Sequence, residues 1–344
     1  MTASVFAAAD NVLRIWKMGQ EDNGGSVYSM PKMCVFATYF GSLPNWFGLW
    51  AASCGANPDV DFFVVTDQHV EKLPSNVRIL PETLAGIKAK IEVAVNSKIA
   101  LERPYKMCDY RPFMGLAYSY LLKDYDYWGH CDLDLFFGDL KSCFEKYNLT
   151  NYDKFLPLGH FFLYRNTDEV NMRWQLPLDG KDFWRDVVSS DKNYYFDEQG
   201  INLIFDEHGF LRYDGHPFAD IATIYHRVRL SPKFKDYKRE VFYWKDGKAG
   251  RLAVGRGGSV VDEEFLYVHF QKRSYAAELV KAEAGEGFYF GSEGFMPMRG
   301  QSPNDAIDEV NPYDPVRELR EGVRWRYRDL RRKISAIKWD LLNG

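Results

Sequence analysis

Met33-Cys34-Val35-Phe36-Ala37-Thr38-Tyr39-Phe40, followed after a break by Val60-Asp61-Phe62-Phe63-Val64-Val65-Thr66, decides the fold of this 344-residue chain. Both runs are almost wholly apolar rather than alternating, the mark of strands buried on two faces. Gly41-Ser42-Leu43-Pro44 interrupts the first run. Ser42 is placed to cap a helix and Pro44 to stand in its first turn, so a helix is expected from Asn45 to about Ala56. Strand, helix and strand with short links form a βαβ unit, whose strands lie parallel. The expected class is α/β, a mixed but mostly parallel sheet flanked by helices. Ligands of such sheets bind beyond the carboxyl ends of the strands, where Thr38, Tyr39 and Asp67 stand.

Further along, Val77-Arg78-Ile79-Leu80 predicts a third strand, residues 82–100 a helical stretch, Phe113 to Leu122 a helix and Asp126 to Cys131 another strand. Alternation resumes from Phe155 to Tyr164, residues 180–235 mix short helices and strands, and Tyr267-Val268-His269-Phe270 reads as the last apolar strand. Residues 1–32 look like an appendage, Gly-rich around Asn23-Gly24-Gly25-Ser26, with Met30 and Met33 as alternative starts. A body over residues 33–300 and a linker with a helix over 301–344 complete the expected organisation.

In the tail, Val316, Leu319, Val323, Tyr327, Leu330, Ile334, Ile337 and Leu341 recur at spacings of three and four, the pattern of an amphipathic helix. Its other faces are rich in arginine. Two readings stay open: a helix packed on the body with a solvated basic face, or one lying on an anionic membrane surface through residues 316–341.

The chemistry concentrates in Tyr127-Trp128-Gly129-His130-Cys131-Asp132-Leu133-Asp134-Leu135-Phe136. Side chains two apart on an extended chain point the same way, so Asp132 and Asp134 can converge on one ligand. Hard oxygen ligands at the end of a buried strand suit Mg²⁺ or Mn²⁺ carrying a diphosphate; two solvated surface acids are the plain alternative. Upstream, Pro104-Tyr105-Lys106-Met107-Cys108-Asp109-Tyr110-Arg111-Pro112 packs charges of both signs ahead of this strand. Lys106 or Arg111 there would neutralise phosphate and Asp109 would orient it. Downstream, His269 at a strand end offers an imidazole to the same metal, and Lys272 a cation to the diphosphate.

Net charge is only −4, which leaves no global nucleic-acid footprint. Five cysteines without C-x-x-C spacing read as free thiols in a reducing cytosol. No secretory signal and no membrane-spanning run stands in the sequence. A cytoplasmic protein is the location expected, peripheral at the inner face of the plasma membrane only under the second reading of the tail helix.

The order Lys106, Asp132-Leu133-Asp134, His269 and Lys272 resembles metal-dependent glycosyltransferases of the GT-A type, in layout the glycogenin and lipopolysaccharide galactosyltransferase-like group. Phe36 to Gly41, Phe63 to Asp67, Tyr105 to Pro112 and Gly129 to Asp134 are also similar to bacterial cell-surface polysaccharide transferases. The resemblance spans about residues 33–275 and departs from the glycogenin pattern where no Gly-x-x-Lys-Pro-Trp follows His269. It implies a GT-A-like, Rossmann-like fold, with a nucleotide-sugar-binding half over 33–140 and an acceptor half over 141–300. It also implies Mn²⁺ or Mg²⁺, a nucleotide-sugar donor (a UDP-sugar favoured), and a glycan or lipid-linked glycan acceptor. Thr38, Tyr39, Asp67, Lys106, Asp109, Arg111, Asp132 and Lys272 would hold the donor; Asp132, Asp134 and His269 would hold the metal. Gly159 and His160 would line the sugar pocket. Asp197, Glu198 and Gln199 would face the reacting sugar, as general base if the enzyme inverts or as stabiliser of a cationic centre if it retains, which the layout favours. His160 reads equally as an ordinary partly buried histidine, and the Asp197–Glu198 pair as acids in a helix's first turn.

Two other classes compete. A D-x-D phosphatase or nucleotidyltransferase would carry its motif on the first strand, with a Thr shortly after, rather than in mid-chain before Leu135-Phe136-Phe137. A silent binding or scaffold protein on the same fold would show a damaged metal site, whereas Asp132, Asp134, His269 and Lys106 are all present.

Overall fold

The computed structural model describes residues 30–231, 237–255, 257–271, 273, 275, 280, 283 and 285–343, with side chains to residue 331. Its main sheet runs in the order β3-β2-β1-β4-β7-β6-β8. These strands are β1 (Met33–Thr38), β2 (Val60–Thr66), β3 (Val77–Pro81), β4 (Tyr127–Cys131), β6 (Lys154–Phe155), β7 (Phe161–Arg165) and β8 (Arg212–Tyr213), with β5 (Leu135–Phe137) outside this sheet. The run β3-β2-β1-β4 is parallel and β7 is antiparallel to both β4 and β6. The class is α/β, as expected, with a mostly parallel central sheet flanked by helices.

Both faces of that sheet are covered, which is why its strands carry no polar alternation. Phe36 and Phe63 face a core shared with Ile87, Ile91 and Val95 of the helix Leu84–Val95. Phe62 on the other face meets Trp50 of the helix Phe47–Gly55 and Phe137 of β5. Thr83 caps the first of these helices by accepting from Gly86 N–H at 3.0 Å, and Asn96 ends it in the left-handed region.

Three local expectations are corrected. The first helix starts at Phe47 without a side-chain cap, because a Pro44–Phe47 turn precedes it instead of a Ser42 cap. The helix expected over Phe113 to Leu122 is cut to Met114–Ala117, behind a 3-10 turn holding Pro112. Tyr267–Phe270 is not the last strand, since two more follow from residue 288.

Those strands belong to a second, wholly antiparallel sheet, in the order β12-β11-β10-β14-β15. It comprises β10 (Glu240–Lys245), β11 (Lys248–Val254), β12 (Val260–Phe265), β14 (Phe288–Gly291) and β15 (Gly294–Pro297). Strand β10 is buried on both faces: Phe242 and Trp244 pack on Phe288, Phe290 and Phe295, while Val241 and Tyr243 pack on Ala306, Ile307 and Val310 of the helix Pro303–Val310. The residues flanking Arg256 form the β11–β12 connection. A small third sheet joins β5, β13 (Tyr267–His269) and β9 (Ala219–Asp220), with β13 central.

The helix Pro315–Asn343 closes the chain. Glu318 and Glu321 meet the body, whereas Val316, Leu319, Val323, Tyr327 and Leu330 are each more than half exposed. Among the described residues no helix is long and apolar enough to cross a membrane.

Candidate functional site

Strand β4 is buried throughout and delivers its chain to a bend, Asp132-Leu133-Asp134, before β5 begins. Gly129 belongs to the delivery: a Cβ there would stand 2.0 Å from the Phe162 carbonyl oxygen of β7. The bend is fixed by backbone contacts at each residue. Asp132 N–H donates to His160 O at 2.9 Å, the Trp46 indole N–H donates to Leu133 O at 2.9 Å, and Phe270 N–H donates to Asp134 O at 2.9 Å. Leu133 is buried between the two acids, which turn into a cavity of about 750 Å³.

Strand β13 pairs antiparallel with β5, placing His269 opposite Leu135 and hence beside Asp134. Asp220 stands opposite His269 on β9. The imidazole Nδ1 meets Asp220 Oδ1 at 2.9 Å, and Nε2 stands 3.5 Å from Asp134 Oδ1. Ligand atoms of Asp132, Asp134 and His269 lie within 4.8 Å of one another. Two carboxylates and one oriented imidazole at a cavity wall fit a divalent cation of the Mn²⁺ or Mg²⁺ kind. Burial alone would lower the His269 pKa, but Asp134 and Asp220 outweigh it and hold the metal-free imidazole up at about 10. Asp132 is raised by burial and by Asp134, against the pull of the Arg111 guanidinium.

Arg111 is the cation at the centre of the site. It pairs with Asp132, with Asp197 Oδ2 at 2.8 Å, and donates to Gly159 O at 2.7 Å. Gly159 has no room for a side chain, since a Cβ would approach Asp197 Oδ2 to 2.3 Å. Its N–H donates to Glu198 Oε1 at 2.9 Å. Burial raises Asp197 to about 7 although Arg111 opposes this. Asp197 and Glu198 stand in a π-helical turn, Phe196–Gly200, entered through Tyr195 at φ 53°. A tyrosine in the left-handed region is uncommon; here its ring is about half exposed at the cavity.

The other sequence-predicted residues distribute unevenly. Thr38, Tyr39, Arg111, Asp132, Asp134, His160, Asp197, Glu198 and His269 all line the one cavity. Gly159 adjoins it through its contacts with Arg111 and Glu198. Gln199 is exposed and outside the lining. Asp67 is also outside, where its carboxylate receives Gly41 N–H at 3.0 Å and Gln68 Nε2 at 2.8 Å. Lys272 lies outside the described residues.

Lys106 and Asp109 have a different place from the one expected. Both are fully buried, paired at 2.9 Å, and absent from the cavity wall. The Lys106 ammonium also donates to Val187 O and Lys192 O, while Asp109 receives the N–H groups of Tyr194 and Phe196. The pair clamps the segment that ends in Asp197; Arg111, one turn on, is the cation that reaches the cavity.

Asp220 was not expected, nor were Tyr105, Trp46, Tyr195, Gln271 and Arg273, which also line the cavity. The signal for Asp220 was an acid closing the short apolar run Phe218-Ala219, the same grammar as Cys131-Asp132. His160 stacks on His269 at 4.2 Å, bonds Tyr267 OH through Nδ1 at 2.9 Å, and has no partner at Nε2 among the described residues. Burial, with His269 and Arg111 nearby, keeps its pKa well below the usual range.

Comparison with solved structures returns glycosyltransferases at low identity. Mouse xyloside xylosyltransferase 1, in its apo form, is 11% identical over 56% of this chain and 88% of its own, with a TM-score of 0.37. The galactosyltransferase LgtC, in complex with donor and acceptor sugar analogs, is 10% identical over 55% of this chain and 75% of its own, with a TM-score of 0.33. No curated protein matches the sequence. The chain belongs to the family of unknown function DUF6625, whose model matches residues 35–299.

Proposed function

We propose that the protein is a metal-dependent glycosyltransferase that moves a sugar from a nucleotide-diphosphate donor, a UDP-sugar first, to a glycan or lipid-linked glycan. The observation that carries this reading is the convergence of Asp132, Asp134 and His269 on one cavity, beside Arg111. The resemblance of these motifs to GT-A-type enzymes agrees with it. Residues 33–140 would form the donor-binding half, residues 141–300 the acceptor half, and residues 1–32 and 301–344 their flanks.

Asp134 and the Nε2 of His269 are the first two metal ligands in this proposal, with Asp132 the third. A divalent ion held there supplies positive charge against the diphosphate as it leaves. Arg111, paired with Asp132 at the same wall, would supply a second positive charge to the diphosphate. Thr38 and Tyr39, at the end of β1, adjoin the nucleotide. The unpartnered Nε2 of the neutral His160 meets a donor-sugar hydroxyl.

Asp197 is 2% exposed and its Oδ2 is held by Arg111. That setting, with the pKa raised to about 7, suits Asp197 either to stabilise a sugar ring that turns cationic in the transition state or to take up a proton. Retention of anomeric configuration is the outcome proposed, on the layout that the GT-A resemblance implies, with Glu198 beside Asp197 at the acceptor.

The test is thermal stabilisation by UDP, GDP, CMP and dTDP conjugates with and without Mn²⁺, on the wild type and on Asp134→Ala. One nucleotide should stabilise the wild type only with metal, and the variant should lose the effect. No stabilisation by any nucleotide under any metal condition would overturn the transferase reading in favour of a silent scaffold.

A further inference from the structure

The helix Pro315–Asn343 meets the body with its acidic side. Glu318 pairs with Arg227 and, at 3.2 Å, with Arg229, and Glu321 receives the His226 backbone N–H at 3.0 Å. At about 3.6 residues per turn, the exposed stripe Val316, Leu319, Val323, Tyr327 and Leu330 lies on the side opposite those two acids. Arg320, Arg324 and Arg331 border this stripe on one flank and Arg326 on the other, all exposed. Docking has thus turned Glu318 and Glu321 inward and left a surface of apolar groups rimmed by guanidinium groups.

A second copy of the chain does not fit that surface. From Val323 the apolar residues Val323, Tyr327 and Leu330 follow a heptad seam, which assigns Arg324 and Arg331 to e positions and Arg326 to g. Pairing two such helices, in either direction, would set arginine against arginine along the seam. An anionic lipid–water boundary satisfies both halves of the pattern, with the stripe among acyl chains and the guanidinium groups at the phosphates.

The seat of the helix is also next to the cavity. Arg273, a cavity residue, donates to Ala222 O, Tyr225 O and His226 O at 2.9, 2.6 and 2.9 Å, holding the segment that receives Glu318 and Glu321. We infer that the helix Pro315–Asn343 docks on an anionic phospholipid surface and holds the cavity at the boundary where a lipid-linked acceptor is presented. The acceptor clause rests on the glycosyltransferase reading; the docking itself does not.

The experiment is co-sedimentation of the full chain with vesicles of phosphatidylcholine alone and of an equimolar phosphatidylcholine–phosphatidylglycerol mixture. Anionic vesicles should bind at least about tenfold more tightly than neutral ones, and salt should weaken the binding. Leu319→Glu with Leu330→Glu, both on exposed positions, should remove vesicle binding while metal-dependent nucleotide stabilisation persists. Equal binding to both vesicle types, or undiminished binding by the double variant, would overturn the inference. So would a wild-type dimer in sedimentation velocity that the same variant dissociates, which would assign the stripe to a second copy. Vesicle binding that survives where no nucleotide binds would instead overturn the transferase reading alone.

Discussion

His269 and Asp220 form a bond of 2.9 Å through Nδ1 that decides which face of the imidazole looks into the cavity. With Nδ1 engaged, Nε2 is the nitrogen turned to Asp134. Gln271 Nε2 steadies the same Asp220 oxygen at 3.0 Å. Outer partners of this kind commonly account for about 10–100-fold of metal affinity. Asp220→Ala should weaken Mn²⁺ binding by that order in titration calorimetry, without nucleotide present. Unchanged Mn²⁺ affinity would remove Asp220 from the metal site.

Gly159→Ala places a methyl group where Asp197 Oδ2 now lies. The carboxylate must leave Arg111 or the turn before β7 must shift, at a cost of about 1–3 kcal/mol in stability. Donor binding should suffer beyond that loss, because Arg111 then redistributes between Asp132 and Asp197. Chemical denaturation and nucleotide titration of one variant measure both effects, and an unperturbed nucleotide titration would refute the coupling.

Lys106→Met leaves Asp109 as an uncompensated buried charge. Breaking such a pair from one side costs about 3–5 kcal/mol. The expected signature in urea unfolding is a large drop in stability; nucleotide affinity of the remaining folded protein should change little. The reverse pattern, intact stability with lost affinity, would return Lys106 to the donor site.

Lys154 gives a pH-dependent test away from the cavity wall. Burial, with Arg212 nearby, lowers its pKa from 10.5 to about 7, while its Nζ donates to Asn202 Oδ1 at 2.6 Å. Between about pH 7 and 10.5 the unfolded chain holds a proton that the folded one has released, so this group makes stability rise with pH across that window. Stability tied to the neutral amine is present above 10.5 and lost as pH falls through 7. Lys154→Met should flatten the rise in denaturation midpoints measured across the window; an unchanged slope would rule out the depressed pKa.

Several features were legible in the sequence for a local reason. The almost wholly apolar runs at β1 and β2 suit strands covered on both faces, and the helix between them made the parallel unit readable. The D-x-D acids and His269 were visible because chemistry-bearing residues closed apolar runs. Helix ends were less legible at Ser42, where a turn took the place of a cap, and at Phe113, where Pro112 cut the element short.

By itself, then, the sequence determined the strand-forming cores, the β1–β2 parallel unit, the tail helix and the chemical identity of the trio Asp132, Asp134 and His269 proposed to hold a metal, all of which depend on residue type and short-range spacing. Tertiary structure decided which of two neighbouring cations meets the cavity. Lys106 and Arg111 are five positions apart in one segment, and only the packing of residues 187–196 over Lys106 buries it and leaves Arg111 facing Asp132. It also decided that Asp220, far from His269 in sequence, stands opposite it across β9 and β13. The tail helix followed the same rule: its periodicity was local, but the choice of acids over apolar residues as its docking side depended on Arg227 and Arg229 waiting about ninety residues upstream. Pairings over such separations depend on loop closure and on burial of charge against charge, neither of which any window of sequence contains.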